Sequence, residues 1–516
     1  MNRFIIYSKL ILLVGICLIF LFPAKANNGR LPDPKIQAGI AKVSGKVTNF
    51  QLKEGEEVPI VTFYVPNPIS AEMKEFKTHL SEDGSFNFEV PVECNYNIGN
   101  INLPALDYTI VSVGLIPGEV TKLEIFYDEA GRIKANMVSS IGLTSDDLLN
   151  LYKMLVNFME DRSVKSEPLY TMTPEEFSHY AIEKLIIDRT ERSMNGSKIS
   201  EKAKNIIIEE CKLLYLNVFL LDYCDMMSLN YRVTKPKGAP DDFTPQEPGK
   251  SYYAFLKDFN LNDPQHLYNG MNMYTEVLQT ILLNKTLNIP RIKETPIKDW
   301  LKEVQTIMAD LIGSNTGLFY DVLAANAYAR QFNNELKPLS EKQKENIRSY
   351  FENEEITKIL LNRNEEIVKL EKEKNYFKTV INSTPAVAKE ALMNAIISKY
   401  KGKAVLVDFW ATWCAPCMNA MKETRVVKNV MKDKDIVFVY ITNVSSPKKL
   451  WEEKINAIGG EHFYLTREEW EYLMDSFGFD GIPTYLFYDK NGIMKNKITG
   501  YPGTETMQKL VEELLP

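Results

Sequence analysis

The sequence predicts a multidomain protein with an N-terminal β-sandwich, a central all-α region and a C-terminal α/β domain. Three observations lead there. The chain has 516 residues, more than one hydrophobic core serves, and a prior of roughly 150 residues per domain suggests about three. Short β-type runs with turn residues between them extend from Ala41 to Met137, and apolar residues at helical spacing extend from Thr144 to Lys374. Beyond Pro385 strand-like and helix-like runs alternate, the pattern of an α/β domain.

Ahead of these lies a different kind of segment. Arg3 and Lys9 precede the apolar run Leu10 to Phe22, Pro23 breaks it, and Ala24-Lys25-Ala26 offers small residues around a cleavage point. This is the pattern of a secretory signal peptide over residues 1–26. The run is short of the roughly 20 apolar residues that span a bilayer. The expected location is therefore the periplasm or cell envelope, with membrane attachment only if the segment stays uncleaved. Lipid modification of Cys17 is disfavoured by the bulky Ile16 before it. The net charge of −7 does not favour nucleic acid as a partner, since binding it wants a basic surface.

Residues 27–38, with Pro32 and Pro34, read as a linker. The sandwich is expected over 39–138. Val43-Ser44-Gly45-Lys46-Val47 opens it, Val58 to Val65 follows, and Asp83-Gly84 turns into the alternating Ser85 to Val90. Tyr108 to Val113 and Val120 to Phe126 complete the visible strands. The helical region is expected over 139–375, in seven to nine helices. Thr173-Pro174-Glu175-Glu176 and Ser340-Glu341 are helix starts. The Tyr and Met residues of Tyr215 to Tyr231 sit at helical spacing and read as core. Cys94, Cys211 and Cys224 read as buried free thiols. On one continuous helix Cys211 and Cys224 would stand about 20 Å apart, too far to bridge.

The last domain, expected over 386–516, carries the chemistry. Ala404 to Phe409 is a buried-strand run, followed by Trp410-Ala411-Thr412-Trp413-Cys414-Ala415-Pro416-Cys417. Two thiols thus stand where the next helix begins, a context in which they can shuttle between dithiol and disulfide. The helix N-terminus favours negative charge, so Cys414 is the expected nucleophilic thiolate, and Cys417 the thiol that resolves a mixed disulfide. Ala415 and Pro416 tune the pair, and Pro416 stiffens the first turn. Asp408, in an otherwise apolar strand, is expected to be buried with a raised pKa, suited to a proton relay; the bland alternative is a structural Asp at a strand end. The remaining cysteines and the four histidines show no matching zinc spacing, so no metal is expected.

Strand, Trp-Cys-Ala-Pro-Cys and the distant Gly481-Ile482-Pro483-Thr484 together resemble the thioredoxin fold and, within it, the secreted TlpA-like thiol-disulfide oxidoreductases. The resemblance covers about a quarter of the chain. It implies a cis Pro483 facing the cysteine pair, an Ile482 backbone that pairs with an extended substrate, and a Trp413 that shields the pair and adds an apolar contact. It also assigns the relay role to Asp408. The redox-active group is then the Cys414–Cys417 disulfide itself, with no separate cofactor. The implied partners are disulfide-containing envelope proteins and an unidentified membrane electron donor. One departure stands out: Ala420 and Lys422 occupy positions where many relatives carry Glu and Pro, and Glu423 is displaced along the helix. The competing reading is an envelope binding or scaffold protein whose first 350 or so residues recognise a protein or glycan, with secondary redox activity.

Overall fold

The computed structural model describes residues 29–515 apart from 53–57, 107–108, 139–140, 161–166, 195, 241–242 and 373–376. The stretch 1–26, expected to be a signal peptide, lies outside the described residues. Among those described, no helix is long and apolar enough to cross a membrane.

The N-terminal region is β-rich: β1 (Ile36–Val47), β2 (Ile60–Asn67), β3 (Glu72–His79), β4 (Ser85–Cys94), β5 (Asn97–Leu103), β6 (Thr109–Leu115), β7 (Val120–Tyr127) and β8 (Ile133–Val138). They form two four-stranded sheets, β4-β1-β7-β8 and β3-β2-β5-β6. Val43, Phe63, Phe86, Phe88, Val113 and Ile125 from both sheets share one core. The period-2 expectation for β4 holds, since Phe86, Phe88 and Val90 are buried while Asn87 and Glu89 are exposed. Gly45 is required by close approach, because a Cβ there would stand 2.1 Å from the Phe86 ring. β1 begins at Ile36, inside the stretch expected to be a linker, and Leu31 and Ile36 pack into the helical core. The polar β3, the short β5 and β8 left no clear alternation to read in the sequence.

The helical middle contains Ser145–Glu160, Pro174–Tyr180 continuing through a π segment to Asp188–Met194, Glu201–Tyr215, Tyr223–Thr234, Met273–Leu283, Ile297–Ile312, Leu318–Glu335, Glu341–Tyr350 and Glu354–Lys372. Both expected starts are capping boxes, Thr173 with Glu176 and Ser340 with Gln343. Tyr215, Tyr223, Met226 and Met227 are buried core, as expected. Cys94 and Cys211 are buried free thiols, whereas Cys224 is only half-buried and lies 3.5 Å from Glu247 Oε2. Ile69, Cys94 and Ile98 join the helical core, so the β-rich and helical regions share apolar packing.

The C-terminal sheet has the order β14-β13-β10-β11-β12-β9. Its strands are β9 (Thr379–Asn382), β10 (Ala404–Phe409), β11 (Ile436–Asn443), β12 (Gly460–Leu465), β13 (Thr484–Tyr488) and β14 (Met494–Thr499). β10 runs parallel to β11 and antiparallel to β13. Leu406, Trp410, Phe438 and Phe487 face one apolar layer, and Val405, Val407, Val439 and Leu486 face the other. Burial on both faces explains why β10 reads as an unbroken apolar run. β9 lies ahead of residue 386, where the domain was expected to begin.

Candidate active site

β10 ends at Phe409 and the chain turns. Trp410 N–H still donates to the Ile441 carbonyl, Cys414 N–H donates to the Ala411 carbonyl at 3.1 Å, and helix Ala415–Val430 begins. Cys414 is the N-cap, and Cys417 N–H points at its sulfur at 3.2 Å. The two cysteines are disulfide-bonded, with Cα atoms 5.3 Å apart. An unpaired helical amide aimed at Cys414 Sγ is the arrangement that stabilises a thiolate once the bond is reduced.

The distant motif arrives by pairing of β13 with β10, Thr484 opposite Phe409. Ile482–Pro483 is a cis peptide, and the Ile482 carbonyl oxygen lies 3.7 Å from Cys414 Sγ. Pro483 is buried and Ile482 half-buried. Trp413 is largely exposed, and its indole N–H donates to Ser445 Oγ at 3.1 Å. The loop after β11 holds the turn from beneath: Thr412 N–H donates to Ser446 Oγ at 2.9 Å, and Ser446 Oγ shares a hydrogen bond with Thr442. Residues 410–417, 443–446 and 481–484 therefore meet at one end of the sheet.

Asp408 is buried on the face of β10 that carries Leu406 and Trp410, under the cysteine helix. Its Oδ1 has no hydrogen-bond partner among the described residues. Burial pushes its pKa up to about 8, and the Lys428 ammonium holds it back from rising further. Lys428 was not anticipated. Cys417, Met421, Thr424, Lys428 and Met431 are all buried, and their spacing of four and three residues makes one helix stripe. A lysine on that stripe was the available signal. Its Nζ donates to the Ile458 carbonyl at 2.7 Å and the Gly459 carbonyl at 3.0 Å, and it lies over the Phe377, Phe438 and Tyr440 rings. Burial and Arg425 lower its pKa to about 7, against the pull of Asp408.

The outer side of the cysteine helix is covered by the N-terminal region. Lys422 donates to Glu72 at 2.8 Å, and Asn419 to Glu75 at 2.8 Å. Glu72 also pairs with Arg363 at 3.1 Å, and both are buried or nearly so. Glu423 faces Lys77 at 3.7 Å. Ala420, on the same helix, is buried. Among the described residues no three His, Cys, Asp or Glu side chains gather as a metal site.

Residues 393–515 match the family described as a thioredoxin-like domain. The thiol-disulfide oxidoreductase ResA of Geobacillus kaustophilus is 32% identical over 120 residues, 23% of this chain and 68% of that protein. This chain belongs to the thioredoxin-like thiol-disulfide oxidoreductases. ResA of Geobacillus thermodenitrificans is 31% identical over 120 residues, with the same coverage of 23% and 68%. A solved thiol:disulfide interchange protein of the thioredoxin family from Chlorobium tepidum TLS aligns at 26% identity over 23% of this chain and 84% of that one, with a TM-score of 0.21. The oxidoreductase identity thus comes from the C-terminal domain. The matched stretch of 393–515 contains the cysteine helix, the cis proline and Lys428.

Proposed function

We propose that this oxidoreductase works outside the cytoplasm and reduces disulfides in protein partners through the Cys414/Cys417 couple. The observation that supports it most is the convergence of Cys414 at a helix N-cap, the Ile482 carbonyl beside its sulfur, and the exposed Trp413. The Cys414 thiolate attacks one sulfur of the partner's disulfide. A mixed disulfide forms, and the other partner sulfur leaves as a thiolate and takes up a proton. Cys417 then loses its proton to the ionised form of Asp408, whose pKa burial pushes up to about 8. The Cys417 sulfur attacks Cys414 Sγ, the second partner sulfur departs and is protonated, and two electrons have passed to the partner. The pair is left as a disulfide, and a dithiol or membrane donor must reduce it. Pro416 stiffens the first turn, and the Ala415-Pro416 dipeptide tunes the potential of the pair.

An extracytoplasmic site is supported by the N-terminal segment 1–26, with its Arg3, Lys9 and apolar run. The two N-terminal sheets are read as a sandwich on the strength of their shared core. Insulin reduction with dithiothreitol as donor tests the enzyme reading. Cys414→Ser should abolish turnover, and Cys417→Ala should accumulate mixed disulfides with partners. Full activity of Cys414→Ser would sink the assignment.

A further inference from the structure

The turn 68–71 joins β2 to β3 and is pinned from two sides. Asn326 of helix Leu318–Glu335 donates to the Pro68 carbonyl at 2.7 Å, and Asn333 of the same helix donates to the Ser70 and Ala71 carbonyls at 2.8 and 2.9 Å. From the other side the Glu93 carboxylate, near the end of β4, accepts the Ile69 N–H at 2.6 Å and the Ser70 N–H at 3.2 Å. Beside this fixed turn, β1, β4 and helix Glu354–Lys372 line a cavity of about 330 Å³. Small-molecule sites run from about 300 to 1,000 Å³. The cavity is large enough for one small ligand, and its wall is preorganised.

The charged side chains of the lining are matched. Glu366 accepts from Arg363 Nη1 at 2.6 Å and from Lys74 at 3.1 Å, and Arg363 Nη2 pairs with Glu72 at 3.1 Å. Lys358 lies 3.6 Å from Glu355, and Glu93 is held by the two turn amides. Two buried polar atoms are not matched. Asn67 is 2% and Arg363 6% exposed, yet Asn67 Oδ1 and Arg363 Nε have no hydrogen-bond partner among the described residues. Native interiors leave few such atoms unpaired, because each loses its water without a replacement. Two of them on residues that line one cavity point to a ligand that completes the pairing. The amide oxygen asks for a donor and the guanidinium N–H for an acceptor. Ile40, Pro91, Val92 and Ile359 give the same cavity an apolar side.

We propose that this cavity binds a neutral polyhydroxylated molecule the size of one sugar ring. Adjacent hydroxyls donate to Asn67 Oδ1 and accept from Arg363 Nε–H, while ring C–H groups lie on the apolar side. A hydroxyl both donates and accepts without carrying charge. A charged ligand would give up its hydration in a site whose own charges already have partners. A free monosaccharide and the terminal unit of a glycan share this chemistry. Such binding is independent of whether Cys414 attacks protein disulfides. The cavity nonetheless lies close to the cysteine helix, since Arg363 holds Glu72 and Glu72 accepts from Lys422 at 2.8 Å.

Saturation-transfer difference NMR on the full chain tests this. The probes are glucose, galactose, mannose and N-acetylglucosamine, glucuronate as a charged counterpart, and a trisaccharide of whichever neutral sugar binds. At least one neutral sugar should give a saturable signal, and glucuronate should bind about tenfold more weakly than that sugar. Asn362 is exposed on the lining, so Asn362→Trp should block the cavity and abolish the signal. Glu365→Trp, exposed on the same helix outside the lining, should leave the signal intact. Asn67→Ala should weaken binding by roughly tenfold. Insulin reduction checks that each variant is folded. Binding of both trisaccharide and free sugar identifies a glycan end, and binding of the free sugar alone a monosaccharide. No saturable signal from any neutral sugar, a signal that survives Asn362→Trp, or glucuronate binding as tightly as the neutral sugars would each overturn the proposal.

Discussion

Replacing Asp408 by Asn tests the central electrostatic claim. Burial raises the Asp408 pKa from 3.8 to about 8. Between those two pH values the folded state holds more protons than the unfolded state, so ionisation of Asp408 makes stability fall as pH rises through that window. At 1.36 kcal/mol per pH unit the full penalty reaches roughly 6 kcal/mol above pH 8. Relaxation and water penetration around the buried carboxylate reduce what an Asn recovers to about 2–3 kcal/mol. Lys428 titrates in the opposite sense. Its pKa falls from 10.5 to about 7, so it makes stability rise between those values. The two slopes offset one another near pH 7–8, and the Asp408 effect is cleanest as a comparison of pH 4 with pH 9. Asp408→Asn should add about 2–3 kcal/mol at pH 9 and less than about 1 kcal/mol at pH 4. Urea unfolding of the oxidised protein, followed by tryptophan fluorescence, measures it, because Trp410, Trp413, Trp451 and Trp470 all lie in the redox domain. The oxidised form removes cysteine titration from the reading. Equal gains at both pH values, or a loss at pH 9, would refute the reasoning. In the reduced enzyme the same variant should slow the resolving step, lengthening the life of the mixed disulfide.

Other expectations follow from single contacts. Lys428→Met should move the apparent pKa of Asp408 above about 8, read from the carboxyl infrared band, because the cation that restrains it is gone. Glu453→Gln leaves the buried Arg330 guanidinium without its carboxylate; a cost of about 3–5 kcal/mol is expected at this interface, seen as easier proteolysis between the helical and redox regions. Gly45→Ala drives a methyl to 2.1 Å from the Phe86 ring, which should lower stability by about 1–3 kcal/mol, with the urea midpoint shifted and the slope kept.

Much of the site was legible because its signals are local. Cys414 and Cys417 sit at a strand-to-helix junction whose burial pattern, turn and cap are written within a dozen or so residues. Asp408 stood out as the polar residue of an apolar strand, and it is buried as read. Other features carried no local mark. β9, β12 and the charged β3 exist because a partner strand supplies their hydrogen bonds, and their own residues show little alternation. The reading of Cys224 as a buried thiol missed for the same reason: its exposure depends on what lies opposite helix Tyr223–Thr234.

Local pattern, then, settled the three kinds of region in chain order, the cysteine pair at a helix start, the capped starts at Thr173 and Ser340, and the alternation of β4. These depend on dihedral preference and facing period, which a few neighbouring residues determine. Tertiary packing alone decided that Lys428 would face Asp408's side of the sheet, that Glu453 would meet Arg330, and that Asp225 would come within electrostatic reach of Arg467. Each of these joins residues distant in sequence, and only the closed chain brings their charges and apolar surfaces within range of one another.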